Sequence, residues 1–262
     1  MKANILFKIF TFLLAIIVSN TLSAQEEFPK PGKMEPDMSE FWVPQPVVIT
    51  PGVVKCDDPI PAPSDADVLF DGKDLSKWKG GKTDTAKWIV ADGVFTVNKD
   101  AGSIETKKHY RDFQLHLEWK VPANISGSSQ LRGNSGVFLQ GIYEIQILDS
   151  YINKTYANGQ AGSIYKQTAP LVNAMKKPGE WNVYDILYTA PTFKKNGTYR
   201  TYPFVTVIHN GVVVQNNTRI NGTTAYIGFP EVKEHGDGPI MLQAHGDPSK
   251  AISFRNIWIR EL

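Results

Sequence analysis

Glu144, Gln146 and Asp149 punctuate an otherwise apolar run, GIYEIQILDS, at residues 141–150. Two carboxylates and an amide this close together are material for proton transfer and hydroxyl recognition. A second polar set, Gln114, His116 and Glu118, lies in FQLHLEWKV, and a third, Gln243 and His245, in PIMLQAHG. Carboxylates and imidazoles serve as general acids and bases, while amides orient a polar ligand. The glycine- and serine-rich loop ISGSSQLRGNSG adds Asn134 and Arg132, whose guanidinium is a fixed fork of donors.

Strands must position these groups, because the runs that carry them alternate with period two. In FQLHLEWKV, Phe113, Leu115, Leu117, Trp119 and Val121 share one face and belong in a core, which leaves His116 and Glu118 on the other. In VFLQGIYEIQIL, Val137, Leu139, Tyr143, Ile145 and Ile147 share a face, and Phe138, Gln140, Ile142, Glu144, Gln146 and Leu148 take the opposite one. That second face mixes large apolar residues with amides and a carboxylate, the composition that meets both the C–H faces and the hydroxyls of a sugar. Met241, Gln243 and His245 likewise share one side of their strand, and Ile240, Leu242 and Ala244 the other.

The spacing Glu144-x-Gln146-x-x-Asp149 is similar to the E-x-D-x-x-E strand of jelly-roll β-glucanases. There, a bulge returns the last carboxylate to the face of the first. A retaining glycosidase needs its two carboxyl groups about 5–5.5 Å apart, and a regular strand would put Glu144 and Asp149 on opposite faces. The five histidines show no H-x-H or H-x-x-x-H spacing. No cofactor motif is evident, and a divalent metal assembled from distant strands stays open.

Beyond Asp65, short β-branched and aromatic runs are punctuated by Asp71-Gly72, Asp92-Gly93, Asn210-Gly211 and Asn221-Gly222, which predicts an all-β sandwich or barrel over 65–262. Asn210-Gly211 predicts a tight hairpin. Residues 25–64 are proline-rich and aperiodic, a linker or an arm laid over the domain, with Phe41-Trp42 as the apolar pair that would dock it. Residues 1–24, with Lys2, Lys8 and the apolar run Ile5 to Val18, read as a signal peptide. This predicts a periplasmic or secreted protein with no membrane span after cleavage. Cys56 is the sole cysteine, so the fold has no internal disulfide. The formal charge of +2 falls to zero once Lys2 and Lys8 leave, which does not favour nucleic acid as a partner.

The blocks LFDGKDLSKW, DFQLHLEW, RGNSGVFLQGIYEIQILDSY, GQAGSIYKQ, KPGEWNVYDI, VTVIHNGVVVQN and GPIMLQAHG with FRNIWIREL, in this order from Val68 to Leu262, resemble the 3-keto-disaccharide hydrolase domain family. The resemblance implies a concanavalin-like jelly-roll sandwich of two antiparallel sheets with a concave ligand face. It also implies action on glycosides oxidised at C3: a base removes the acidified C2 hydrogen, the enolate expels the C1 oxygen, and water adds to the enone. The strand faces offer Glu118, Glu144, His116 and His245 for catalysis, and Arg132, Asn134, Gln140, Gln146 and Gln243 for holding the carbohydrate. Ile142 and Ala244 stand where similar sequences carry arginine and aspartate, which keeps a non-catalytic carbohydrate-binding protein as the alternative, ahead of a retaining glycosidase.

Overall fold

The computed structural model describes residues 32–49, 59–81 and 83–262. The leader and Cys56 lie outside the described residues. In chain order the first strands are β1 Val47–Val48, β2 Asp67–Phe70, β3 Trp78–Gly80, β4 Ile89–Ala91, β5 Val94–Thr96 and β6 Ile104–Thr106. The central ones are β7 Phe113–Lys120, β8 Asn134–Leu139, β9 Tyr143–Leu148, β10 Val172–Asn173, β11 Trp181–Thr189 and β12 Thr192–Phe193. The last are β13 Tyr199–Thr201, β14 Phe204–His209, β15 Val212–Arg219, β16 Met241–Leu242 and β17 Ser253–Glu261.

Two antiparallel sheets make a jelly-roll sandwich, the all-β class expected. The larger runs β15-β14-β11-β7-β17-β5-β4 with β2 also on β17, and the smaller runs β3-β6-β16-β8-β9. Among the described residues, helical structure is limited to short 3-10 turns, and no helix is long and apolar enough to cross a membrane.

The core lies between the sheets. From the larger sheet, Phe113, Leu115, Leu117 and Trp119 of β7 and Tyr184, Ile186 and Tyr188 of β11 point inward; from the smaller, Val137, Leu139, Tyr143, Ile145 and Ile147 do. The alternation of these runs therefore reads true. Two tyrosines bond across the gap: Tyr184 Oη donates to the Gln146 carbonyl at 2.8 Å and Tyr188 Oη to Gln140 Oε1 at 2.8 Å. Burying hydroxyls is tolerable only with such partners.

Turn chemistry sets the strand registers. Asn210 and Gly211 both take positive φ, 53° and 79°, and close the β14–β15 hairpin as expected. The imperfect alternation of FRNIWIREL has a cause: between Arg255 and Trp258 the β17 register on β7 shifts, with Asn256 at φ 46°. Arg255 thus stands opposite Glu118 and Trp258 opposite His116. A bulge that places two residues against one does this.

Residues Glu35–Leu262 form one compact unit, so the described arm from Glu35 onward belongs to it. Of the pair Phe41-Trp42, Phe41 is 70 % exposed and Trp42 half-buried. Ile49 packs against the core, β1 pairs in parallel with β10, and Asn158 Nδ2 donates to the Ser39 carbonyl at 2.7 Å.

Candidate functional site

The outer face of the smaller sheet holds a cleft of about 290 Å³, lined by Asn134, Phe138, Glu144, Gln146, Tyr165, Thr224, Tyr226, Gln243 and His245. Asn134 and Phe138 come from β8, Glu144 and Gln146 from β9, and Gln243 and His245 follow β16. All point outward because their neighbours Val137, Ile145 and Leu242 fill the core. Tyr165, Thr224 and Tyr226 reach in from loops. Apolar rings, amides and one carboxyl group thus surround a space of sugar-ring size.

Glu144 sits at the floor, 4 % exposed. Its backbone is held on both sides: its N–H donates to Thr224 Oγ1 at 2.9 Å, and its carbonyl accepts the Tyr165 N–H at 3.1 Å. Its side chain crosses Gly136, where a methyl group would overlap the carboxyl group. The glycine supplies space here, not a special φ. Burial pushes the Glu144 carboxyl up to about 8, with no favourable charge to offset it.

The Gln146 side-chain nitrogen donates to Glu144 Oε1 at 3.1 Å and to the Ser135 carbonyl at 3.0 Å, the amide orientation that satisfies these neighbours. Beside it, Gln243 Oε1 is buried without a protein partner.

His245 stands at the rim, its side chain 33 % exposed. Its Nδ1 lies 3.3 Å from Asp247 Oδ2, to which it donates when it carries the proton, and 3.1 Å from the Asp247 N–H. Burial works against the Asp247 charge, yet hydrogen bonds from His245, Ser249 and Lys99 hold it down at about 2. Lys99 Nζ reaches Asp247 Oδ2 at 2.9 Å.

His116 and Glu118 are not brought to this cleft. They lie on the outer face of the larger sheet, on the far side of the core. His116 Nδ1 is 2.7 Å from Asp185 Oδ1, and the ring stacks on Trp258 at 4.9 Å and 7°. Glu118 accepts from Arg255 Nε at 2.6 Å, Asn256 Nδ2 at 2.8 Å and the Ile60 N–H at 3.3 Å. Against the cost of burial, hydrogen bonds from His116, Asn256 and Arg255 hold the Glu118 carboxyl at about 2. Burial disfavours a charged His116 as well, but Asp185 and Glu118 hold it above its ordinary value. This is a satisfied ion cluster under the arm. Strand alternation separates the two faces of one strand, whereas a sandwich has two outer faces.

Three more expectations need correcting. Gln140 turns inward, because Gln140 and Gly141 form the β8–β9 turn with φ of 51° and 74°; its Nε2 donates to the Tyr110 carbonyl at 3.0 Å. Ile142, in the same turn, packs on the core, and Ala244 packs there too, so neither lines the cleft. Arg132 is tied to Asp149, Nε to Oδ2 at 2.7 Å, and does not line it either. β9 pairs with β8 in one unbroken register, so no bulge returns Asp149 to the face of Glu144. The retaining-glycosidase strand is absent. Among the described residues no group of three or more His, Cys, Asp or Glu is placed to hold a metal.

Cleft and fold together define a carbohydrate-active β-sandwich. Residues 65–260 match the model of the 3-keto-alpha-glucoside-1,2-lyase-like domain, and the chain belongs to that family of glycoside-processing proteins. A crystal structure of a candidate glycosyl hydrolase from Parabacteroides distasonis ATCC 8503 is 66 % identical, covering 86 % of this chain and 96 % of its own, with a TM-score of 0.77. Two further candidate glycosyl hydrolases of that organism are 23 % and 26 % identical, each over 75 % of this chain, with TM-scores of 0.54 and 0.53 and coverage of 94 % and 99 % of their own length. No curated protein matches the chain.

Proposed function

We propose that the protein cleaves 3-keto-glycosides in the Glu144 cleft, by removal of the C2 proton, expulsion of the C1 aglycone and hydration of the enone. The observation that carries this reading is a buried carboxyl group, pushed up to about 8, without an ion pair in a cleft of neutral hydrogen-bonding groups. A carbon acid next to a ketone needs a base stronger than an ordinary carboxylate, and Glu144, once ionised, is one. The Gln146 side-chain nitrogen, which donates to Glu144 Oε1, steadies the new charge. The Gln243 side-chain N–H is offered to the C3 oxygen, where enolate charge develops, and Asn134, whose Nδ2 donates to the Gln130 carbonyl at 2.8 Å, fixes the wall beside it. His245 Nε2–H, at the rim, protonates the departing C1 oxygen. Among the described residues lining the cleft none is lysine or arginine, which favours a neutral sugar over a uronate.

The test is release of aglycone from a 3-keto-glucoside and from the same glucoside left unoxidised. Release from the keto sugar alone is expected. Equal release from both would end the proposal, and binding of either sugar without release would make the protein a carbohydrate-binding module. The export expected from the leader is proposed with it, and fractionation of cells producing the full chain tests that point.

A further inference from the structure

A buried ammonium joins the N-terminal arm to the aromatic wall of the cleft. The Lys166 side chain is 2 % exposed and has three oxygen partners: the Pro36 carbonyl at 2.8 Å, the Tyr226 carbonyl at 2.9 Å and Glu40 Oε1 at 3.0 Å. Two of the three belong to the arm. The ammonium also lies 4.7 Å from the Tyr226 ring centroid and 5.4 Å from that of Tyr156. Tyr156 Oη in turn bonds Tyr165 Oη at 2.8 Å. Tyr165 and Tyr226 are the two tyrosines of the cleft lining.

The backbone at this point is costly to hold. Lys166 has φ of 56°, a left-handed conformation that a residue with a Cβ adopts only when its surroundings fix it. What fixes it is again linked to the arm: the Lys166 N–H donates to the Asn158 carbonyl at 2.9 Å, and Asn158 Nδ2 donates to the Ser39 carbonyl at 2.7 Å. An ammonium buried this deeply is stable only while its acceptors stay in place.

We infer that Lys166 is a positioning residue of the cleft, and that arm residues Pro36 to Glu40 complete the structure that sets Tyr165 and Tyr226 against the sugar. Without the arm, Lys166 keeps only the Tyr226 carbonyl of its three oxygens. The loop carrying Thr224 and Tyr226 then loosens, and with it the Tyr165 N–H and Thr224 Oγ1 contacts that hold the Glu144 backbone. The arm is therefore part of the binding site although none of its described residues lines the cleft. Its effect on sugar binding rests on the function proposed above; its effect on the loop does not.

Hydrogen exchange of the full chain separates the two. The amides to follow are Thr223, bonded to the Glu231 carbonyl, Thr224, bonded to the Ile142 carbonyl, and Tyr165, bonded to the Glu144 carbonyl. In Lys166→Met and in the milder Glu40→Gln, these amides should exchange about tenfold faster or more while the β7 and β11 amides keep their protection. On a 3-keto-glucoside, KM should rise about tenfold with a smaller change in kcat, and Lys166→Arg should recover part of the loss. Unchanged exchange at all three amides in Glu40→Gln would overturn the inference, even if Lys166→Met fails to fold. Should the wild type turn over no keto sugar, the function proposed above fails, and the exchange result still decides the role of the arm.

Discussion

Glu144 and Glu118 are buried alike, 4 % and 2 % exposed, on opposite outer faces of one sandwich. Burial pushes the first up to about 8; the second, despite burial, is held at about 2 by His116, Asn256 and Arg255. Partners, not depth, make the difference. The larger sheet surrounds its acid with a guanidinium, an amide, an imidazole and a backbone N–H, whereas the cleft offers only the Gln146 amide N–H. A buried acid that is fully paired serves structure, and one kept unpaired in a cleft is available to a ligand.

This contrast can be broken at several points. The largest effect is expected at Glu144→Gln, with turnover of a 3-keto-glucoside falling on the order of 10²–10⁴-fold in steady-state assays. The same substitution should stabilise the fold in alkaline solution. The folded pKa of Glu144 lies above its ordinary value of 4.5, so its contribution to stability is present below about 4.5 and lost as pH rises through about 8. Urea denaturation should find Glu144→Gln more stable than wild type by up to about 4 kcal/mol at pH 9, with the gap closing below pH ~4.5.

Glu118→Gln should do the reverse, costing about 3 kcal/mol at neutral pH because Arg255 loses its charge partner, with turnover per folded molecule intact. The Glu118 pKa is depressed, so its stabilisation is present above the ordinary value of 4.5 and fades as pH falls through about 2. Smaller effects belong to the groups around the proposed base. Gly136→Ala displaces the Glu144 carboxyl and should cost turnover about 10²-fold. His245→Ala should slow aglycone release by about as much while exchange at C2 continues.

The sequence was most legible where the chain is regular. The inward residues from Phe113 to Val121, the outward Glu144 and Gln146, and the Gln243–His245 side all followed from alternation, as did the Asn210-Gly211 turn. Reading failed where regularity breaks. Gln140 and Ile142 fall in a tight turn, and Trp258 follows a bulge, so counting by two assigns the first pair to the wrong face. His116 and Glu118 were placed on the correct side of their own strand, but alternation cannot say which outer face of a sandwich that side becomes. Tyr165, Thr224 and Tyr226 enter from loops, where no period exists to read. The Lys166 knot joins residues 130 positions apart and only the folded chain reveals it.

Solvent deuterium entering C2 of a 3-keto-glucoside tests the central claim most directly, because it reports the proton transfer assigned to Glu144 and nothing after it. Exchange is expected with the wild type, rising with pH through about 8 as Glu144 ionises, and absent with Glu144→Gln and with the unoxidised sugar. Exchange that persists undiminished in Glu144→Gln, or that falls as pH rises through this range, would contradict it.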